Sequence, residues 1–256
     1  MATPTSIKCQ HSSPTVVRNS FKTACMYING ERLKDAVDSE ITVLNHDFEL
    51  LLVINSIAKE KATEIVKKSK AEIDKLNELS HTERDKIENK ELEQKVYDDF
   101  ITHAFHSRHL ITHSLFVSAY STFETGLFQV AFRLESYCTS EIKIKDISKE
   151  RGEIDRYRKY INLVHKISSA TSQNSNWKNI LIFQKIRNLI VHNSSTFKED
   201  NSKVALIKFL KNYDTHIVRE HFFKIFDDNF LIDFKNAVIG FCDDIFKDIY
   251  RIKVES

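Results

Sequence analysis

The chain has 256 residues, 41% of them hydrophobic and 29% charged, and a formal net charge of +2. It holds only 4 Gly and 2 Pro, far fewer than the roughly 12% of residues the two types usually supply. Turns lean on Gly for positive φ and on Pro for fixed φ, so this composition argues against a barrel, a sandwich, a Rossmann unit or a Gly-rich phosphate loop and implies an all-α protein.

The first 40 residues lack sustained periodicity and are read as a loose arm, with one short element around Met26–Ile28 and no apolar signal segment. The segment NHDFELLLVINSIA then opens a helix, with Asn45 as N-cap and Asp47 and Glu49 at its positive end. From Lys59 to Asp98, 21 of 40 residues are charged, leaving a narrow apolar stripe. Ser80-His-Thr-Glu83 has the form of a capping box, which places a break near Leu79. Residues 41–98 are therefore expected to form a charged helical hairpin extending from a bundle built by residues 99–256.

A long apolar helix is expected from Asp99 to Tyr137. Within it, Leu110–Phe132 carries one charge, Glu124, and approaches the length of a membrane span. Its many Ser, Thr and Gln residues make a buried core helix the better reading, and no membrane partner is expected. Gly126 costs helix stability relative to Ala, so a close helix approach is expected there. A polar connector around Gly152 leads to the basic-aromatic helix IDRYRKYINLVHKI. A Ser/Asn-rich loop then ends at Asn176, taken as the N-cap of a helix over Trp177–Val191 with Ile180, Phe183, Ile186 and Ile190 on its apolar face. VALIKFLKNY is read as a short helix, HIVREHFFKI as a short strand, and Phe230–Ile252 as a closing amphipathic helix.

Charge is unevenly spread. Residues 141–221 hold 16 Lys+Arg against 9 Asp+Glu, a local +7, which is compatible with an anionic ligand. Cys9, Cys25, Cys138 and Cys242 are scattered, a pattern that fits a reducing cytoplasm and argues against a disulfide framework or a cysteine zinc site. His103, His106, His109 and His113 share one helix face, but no Cys or well-spaced acid joins them. Imidazoles at this spacing can ligate zinc or nickel, which leaves a metal sensor as a lesser reading; the preferred one is imidazoles of an amphipathic helix, with no metal or cofactor expected.

The window FQKIRNLIVHNSS carries the chemistry. Asn188 and His192 are one turn apart and share a face, and Arg187 lies at the same helix end. Arg offers a fixed positive fork to phosphate, and His moves a proton near neutral pH. These are two parts needed to cleave RNA without metal: a base for the 2′-hydroxyl and a cation for the phosphorane charge. RYRKY adds Arg156, Arg158 and Lys159 interleaved with tyrosines, a composition suited to phosphates and unstacked bases. Lys185 and Asn193 flank the central window as further candidates for substrate contact.

Arg187, Asn188 and His192 match, position by position, the Arg–polar–His signature of the HEPN superfamily (higher eukaryotes and prokaryotes nucleotide-binding). Upstream, Tyr120, Phe123 and Glu124 resemble the aromatic-plus-acid pattern of that family's preceding core helix, and the resemblance covers roughly residues 99–250. It implies an up-and-down helical bundle that dimerises, with both Arg/His pairs facing a shared cleft. It also implies a metal-independent endoribonuclease serving as a toxin or antiviral effector, with an antitoxin or defence-system protein as partner. His192 would transfer protons, Arg187 hold the scissile phosphate, Asn188 bond substrate or His192, and Glu124 orient the pair. Family toxins modified by a nucleotidyltransferase antitoxin carry Tyr two residues after the His, where this chain has Ser194. Other members bind without cleaving, so the alternative is a non-catalytic scaffold or RNA-binding module.

Overall fold

A computed structural model describes residues 30–79, 86–149 and 152–251. The protein is all-α apart from one β-hairpin. Helix α1, Gly30–Leu79, and helix α2, Lys86–Ser136, run antiparallel: Glu40 accepts from the Arg133 guanidinium at 2.8 and 3.0 Å, and Leu44 lies against Gly126. A Cβ at Gly126 would stand 3.1 Å from the Leu44 side chain, which is the close approach expected there.

Two boundaries differ from the sequence reading. Helix α1 starts at Gly30 and passes through Asn45, which is exposed mid-helix and caps nothing. Leu33, Val37, Ile41, Leu44 and Phe48 recur every three or four residues and are buried, so residues 30–40 belong to the core and not to an arm. Helix α2 likewise continues across the expected boundary at residue 98, because a change from charged to apolar composition alters what a helix touches without interrupting its backbone. Helix α1 does end at Leu79, while the Ser80–Glu83 capping box, the residue 1–29 segment and the short element at Met26–Ile28 lie outside the described residues.

Helix α3 (Glu153–Leu163), helix α4 (Ser175–Asn193) and helix α5 (Lys203–Leu210) follow, then strands β1 (Thr215–Val218) and β2 (Phe222–Ile225), and helix α6 (Asn229–Tyr250). The single expected strand is thus an antiparallel pair, with Val218 opposite Phe222 and Thr215 opposite Ile225; Arg219 and Glu220 turn the chain at φ 48° and 56°. Helices α1 and α4 each pack on α2 and α6. Their shared core is aromatic. Phe234 of α6 meets Phe48 of α1, Phe116, Tyr120 and Phe123 of α2, and Phe183 of α4, with ring centroids 5.2–6.3 Å apart. Phe116, Tyr120, Phe123, Leu127 and Val130 are buried, as the core reading of Leu110–Phe132 requires.

The start of α4 is capped by Asn174, not Asn176: its Oδ1 accepts from the Trp177 amide at 3.1 Å and its Nδ2 donates to Asp244 of α6 at 3.1 Å. Asn176 sits within the first turn, where a Cβ on Gly240 of α6 would come to 2.8 Å of its amide nitrogen. Asn174→Ala should lower stability by about 1–2 kcal/mol in urea unfolding, since the cap and the tie to α6 are lost together. Cys242 on α6 is a buried free thiol, pushed up to about 12 by burial and by Asp243.

Candidate functional site: a basic groove at the end of helix α4

Helix α4 buries Trp177, Ile180, Phe183, Ile186 and Leu189. That leaves Lys185, Asn188 and His192, spaced three and four apart, as one exposed stripe on its outer side. The chain crosses back over this stripe before α5, so that Lys185, Asn188 and His192 face Lys198, Asn201 and Ser202 across an open groove of about 630 Å³. The groove also contains Asp200, whose carboxylate is committed to the start of α5: Oδ1 accepts from the Ser202 amide at 2.7 Å and hydroxyl at 2.6 Å. Those Ser202 bonds, helped by the charges of Lys185 and Lys198, hold Asp200 below the usual carboxylate range. The remaining polar groups are cationic or neutral donors, a set suited to an anion.

The end of α4 is held firmly. Ser194 and Ser195 adopt left-handed backbone (φ 51° and 62°), and the Ser195 amide donates to the Leu189 carbonyl at 2.9 Å. The exit strand then joins β2: the Phe223 amide donates to the Ser195 carbonyl at 3.1 Å, and the Phe197 amide donates to His221 at 2.7 Å. Behind it lies buried His113 of α2. Its Nε2 accepts from the Ile225 amide at 3.3 Å, which fixes the proton on Nδ1, 3.3 Å from the Ser195 hydroxyl oxygen. Burial and neighbouring His109 lower this imidazole to about 4, so it is neutral. With both nitrogens bonded to the fold it has no lone pair for a metal, and among the described residues no cluster of metal-ligating side chains occurs. The side chains of His103 and His106 lie outside those described.

Arg187 points the other way. Its guanidinium lies 5.6 Å over the ring of buried Tyr120, and its Nη1 donates to Asn188 Oδ1 at 3.2 Å. Asn188 thus lines the groove and bonds Arg187, which does not line it. Glu124, half-buried, forms neither an ion pair with Arg187 nor a hydrogen bond with His192; its charge acts on Tyr120 and Tyr157, whose phenols are raised chiefly by burial. Asn193 is half-buried and does not line the groove; its carbonyl accepts from the Thr196 amide at 2.9 Å.

The basic residues of α3 are also engaged elsewhere. Arg158, expected to contact substrate, is turned inward and buried. It donates to Asp155 at 2.8 and 3.0 Å and to the Ala170 carbonyl at 3.0 Å, and it packs over Trp177. Lys159 pairs with the same Asp155 at 3.2 Å, and Arg156 with Glu153 at 3.3 Å. Lys198, Asn201 and Ser202 were not among the sequence candidates, although the polar run directly after His192 was the signal available for them.

Fold and groove together define a helical-bundle protein with a histidine-bearing, cationic cleft at a helix end. No family model, curated protein or solved structure matches the chain.

Proposed function

We propose that the protein is a metal-independent endoribonuclease of the HEPN type, a cytoplasmic toxin or antiviral-defence effector. RNA is its substrate, a second copy its partner, and an antitoxin or defence-system protein its regulator. One observation carries this reading: His192, Asn188, Lys185 and Lys198 line a single groove open to a polymer. In the proposed reaction His192 takes the proton from a ribose 2′-hydroxyl, and the oxygen attacks the adjacent phosphorus. The bond to the 5′-oxygen breaks, that oxygen takes a proton from water, and His192 passes the proton it gained back to solvent. Products carry 2′,3′-cyclic phosphate and 5′-hydroxyl ends. Lys185 and Lys198 balance the charge growing on the phosphorane, Asn188 donates a hydrogen bond, and Arg187 adds its charge from beside Asn188.

Cleavage of RNA in EDTA tests the reading. His192→Ala should lower the rate by about 10²–10⁴-fold and Arg187→Ala by roughly 10²-fold. Undiminished cleavage by both variants overturns the assignment, and a strict Mg²⁺ requirement overturns the mechanism. A second reading, an RNA-binding scaffold without catalysis, is favoured by the turn of Arg187 onto Tyr120 and by the absence of a Glu124 bond to His192. It predicts RNA binding that His192→Ala leaves unchanged, no cleavage by the wild type, and no growth arrest on expression.

A further inference from the structure

Asp200 is out of keeping with the groove it lines. A groove built for phosphate alone gains nothing from a carboxylate, which repels one. The tie to Ser202 uses Oδ1 only. Oδ2 accepts no hydrogen bond among the described residues, and neither Lys185 nor Lys198 forms an ion pair with the group, acting on it only through space. The Ser202 bonds fix its orientation and keep it ionised, so Asp200 offers the groove an acceptor and never a donor.

The group that fits this oxygen is a neutral one carrying N–H. A metal ion or an alkylammonium is opposed by Lys185 and Lys198 in the same groove, and an uncharged donor is not. Leu189 and Leu206 add apolar surface on which a flat ring can lie. A nucleotide brings both parts, a phosphate for the lysines and a ring with N–H groups for Asp200. The pairing edges of the RNA bases then separate. Guanine sets N1–H and its 2-amino group side by side, with no acceptor between them. Adenine and cytosine each offer one amino group next to a ring-nitrogen acceptor, and uracil offers one N–H between two carbonyls. A carboxylate meets donors alone only on guanine.

We propose that Asp200 reads guanine, so that the groove selects RNA with an unpaired guanosine beside the phosphate held by Lys185 and Lys198. Oδ2, with two lone pairs, accepts from N1–H and from the 2-amino group. Asp200 is thus a specificity residue, and Ser202 positions it. The inference rests on the reading of the groove as an RNA site, and it applies equally to a protein that cuts RNA and to one that only binds it.

Fluorescence anisotropy of the full chain with uridine heptamers carrying one central guanosine, inosine or adenosine tests it. Each heptamer is 2′-fluoro throughout, which removes the attacking hydroxyl so that it is bound and not cut. The wild type should bind the guanosine heptamer about tenfold more tightly than the adenosine one. Inosine keeps N1–H and lacks the 2-amino group, so it should fall between them. Asp200→Asn keeps an oxygen for Ser202 and puts a donor in place of Oδ2, and should lower the guanosine-to-adenosine affinity ratio about tenfold. The ratio is the readout because loss of the negative charge strengthens binding of every heptamer alike. Equal affinities for guanosine and adenosine overturn the inference, as does a preference that Asp200→Asn leaves intact or inosine bound as tightly as guanosine. Any of these together with RNA cleavage in EDTA leaves the proposed function standing without it. A wild type that binds none of the heptamers overturns both, and guanosine-selective binding without cleavage supports the inference on the scaffold reading.

Discussion

Acidification from about pH 6.5 to about pH 4 should remove roughly 5 kcal/mol of stability, because two buried imidazoles stay neutral in the fold. Burial lowers His113, helped by His109, and burial alone lowers His165; each falls from 6.5 to about 4. An unfolded chain takes up a proton on each ring as pH drops through 6.5, and the folded chain does so only near 4. Across that window the unfolded state binds more protons, so stability falls with pH at up to about 1.4 kcal/mol per unit for each group. Below about 4 both states are protonated and this loss is complete. Asp155 belongs to a lower window. Its burial favours the neutral acid, but Arg158 outweighs that and holds it below its usual 3.8, so its contribution persists until more acidic pH. Urea unfolding at about pH 7 and about pH 4.5 measures the difference. His165→Phe keeps a ring against Tyr160 and should halve the slope. A flat profile over the window would mean that both rings protonate as freely in the fold as in the unfolded chain.

Phe234→Ala should cost about 3–5 kcal/mol, measured as a lower urea midpoint with an unchanged slope. Phe234 is fully buried and touches aromatic rings from α1, α2 and α4, so its removal leaves a cavity where these three helices meet α6. Phe234→Leu should recover much of the loss by refilling the volume. Equal losses for Ala and Leu would mean that edge-to-face ring contacts, and not volume, hold the junction.

The sequence made the helices legible and their ends less so. Ile180, Phe183 and Ile186 recur at helical spacing and face the core of α4 as read. The cap of α4 lies two residues before Asn176 because SSATSQNSN offers several competent side chains, and only the bond from Trp177 to Asn174 selects one. The start of α1 at Gly30 is hard to see in the sequence because Leu33 and Val37 are embedded among charges, although their spacing continues to Ile41 and Leu44. The groove was half legible. Asn188 and His192 follow from helical periodicity, whereas Lys198 and Asn201 reach them only through a chain reversal held by Ser195, His113 and β2. Arg158 shows the limit of composition. A basic residue beside tyrosines reads as a surface for RNA, and the carboxylate and carbonyl that draw it inward come from its own helix and from Ala170 beyond it.

The Cys242 thiol on α6 makes the fold's own fluctuations measurable. A thiol held near 12 and closed off from solvent is almost entirely unreactive in the intact bundle. It becomes an ordinary nucleophile only in molecules where α6 has separated from its neighbours. When closing outpaces alkylation, the labelling rate of Cys242 reports the population of that open form. Because α6 packs on both α1 and α4, one native sulfur reports the population in which that shared element has opened, with no introduced probe.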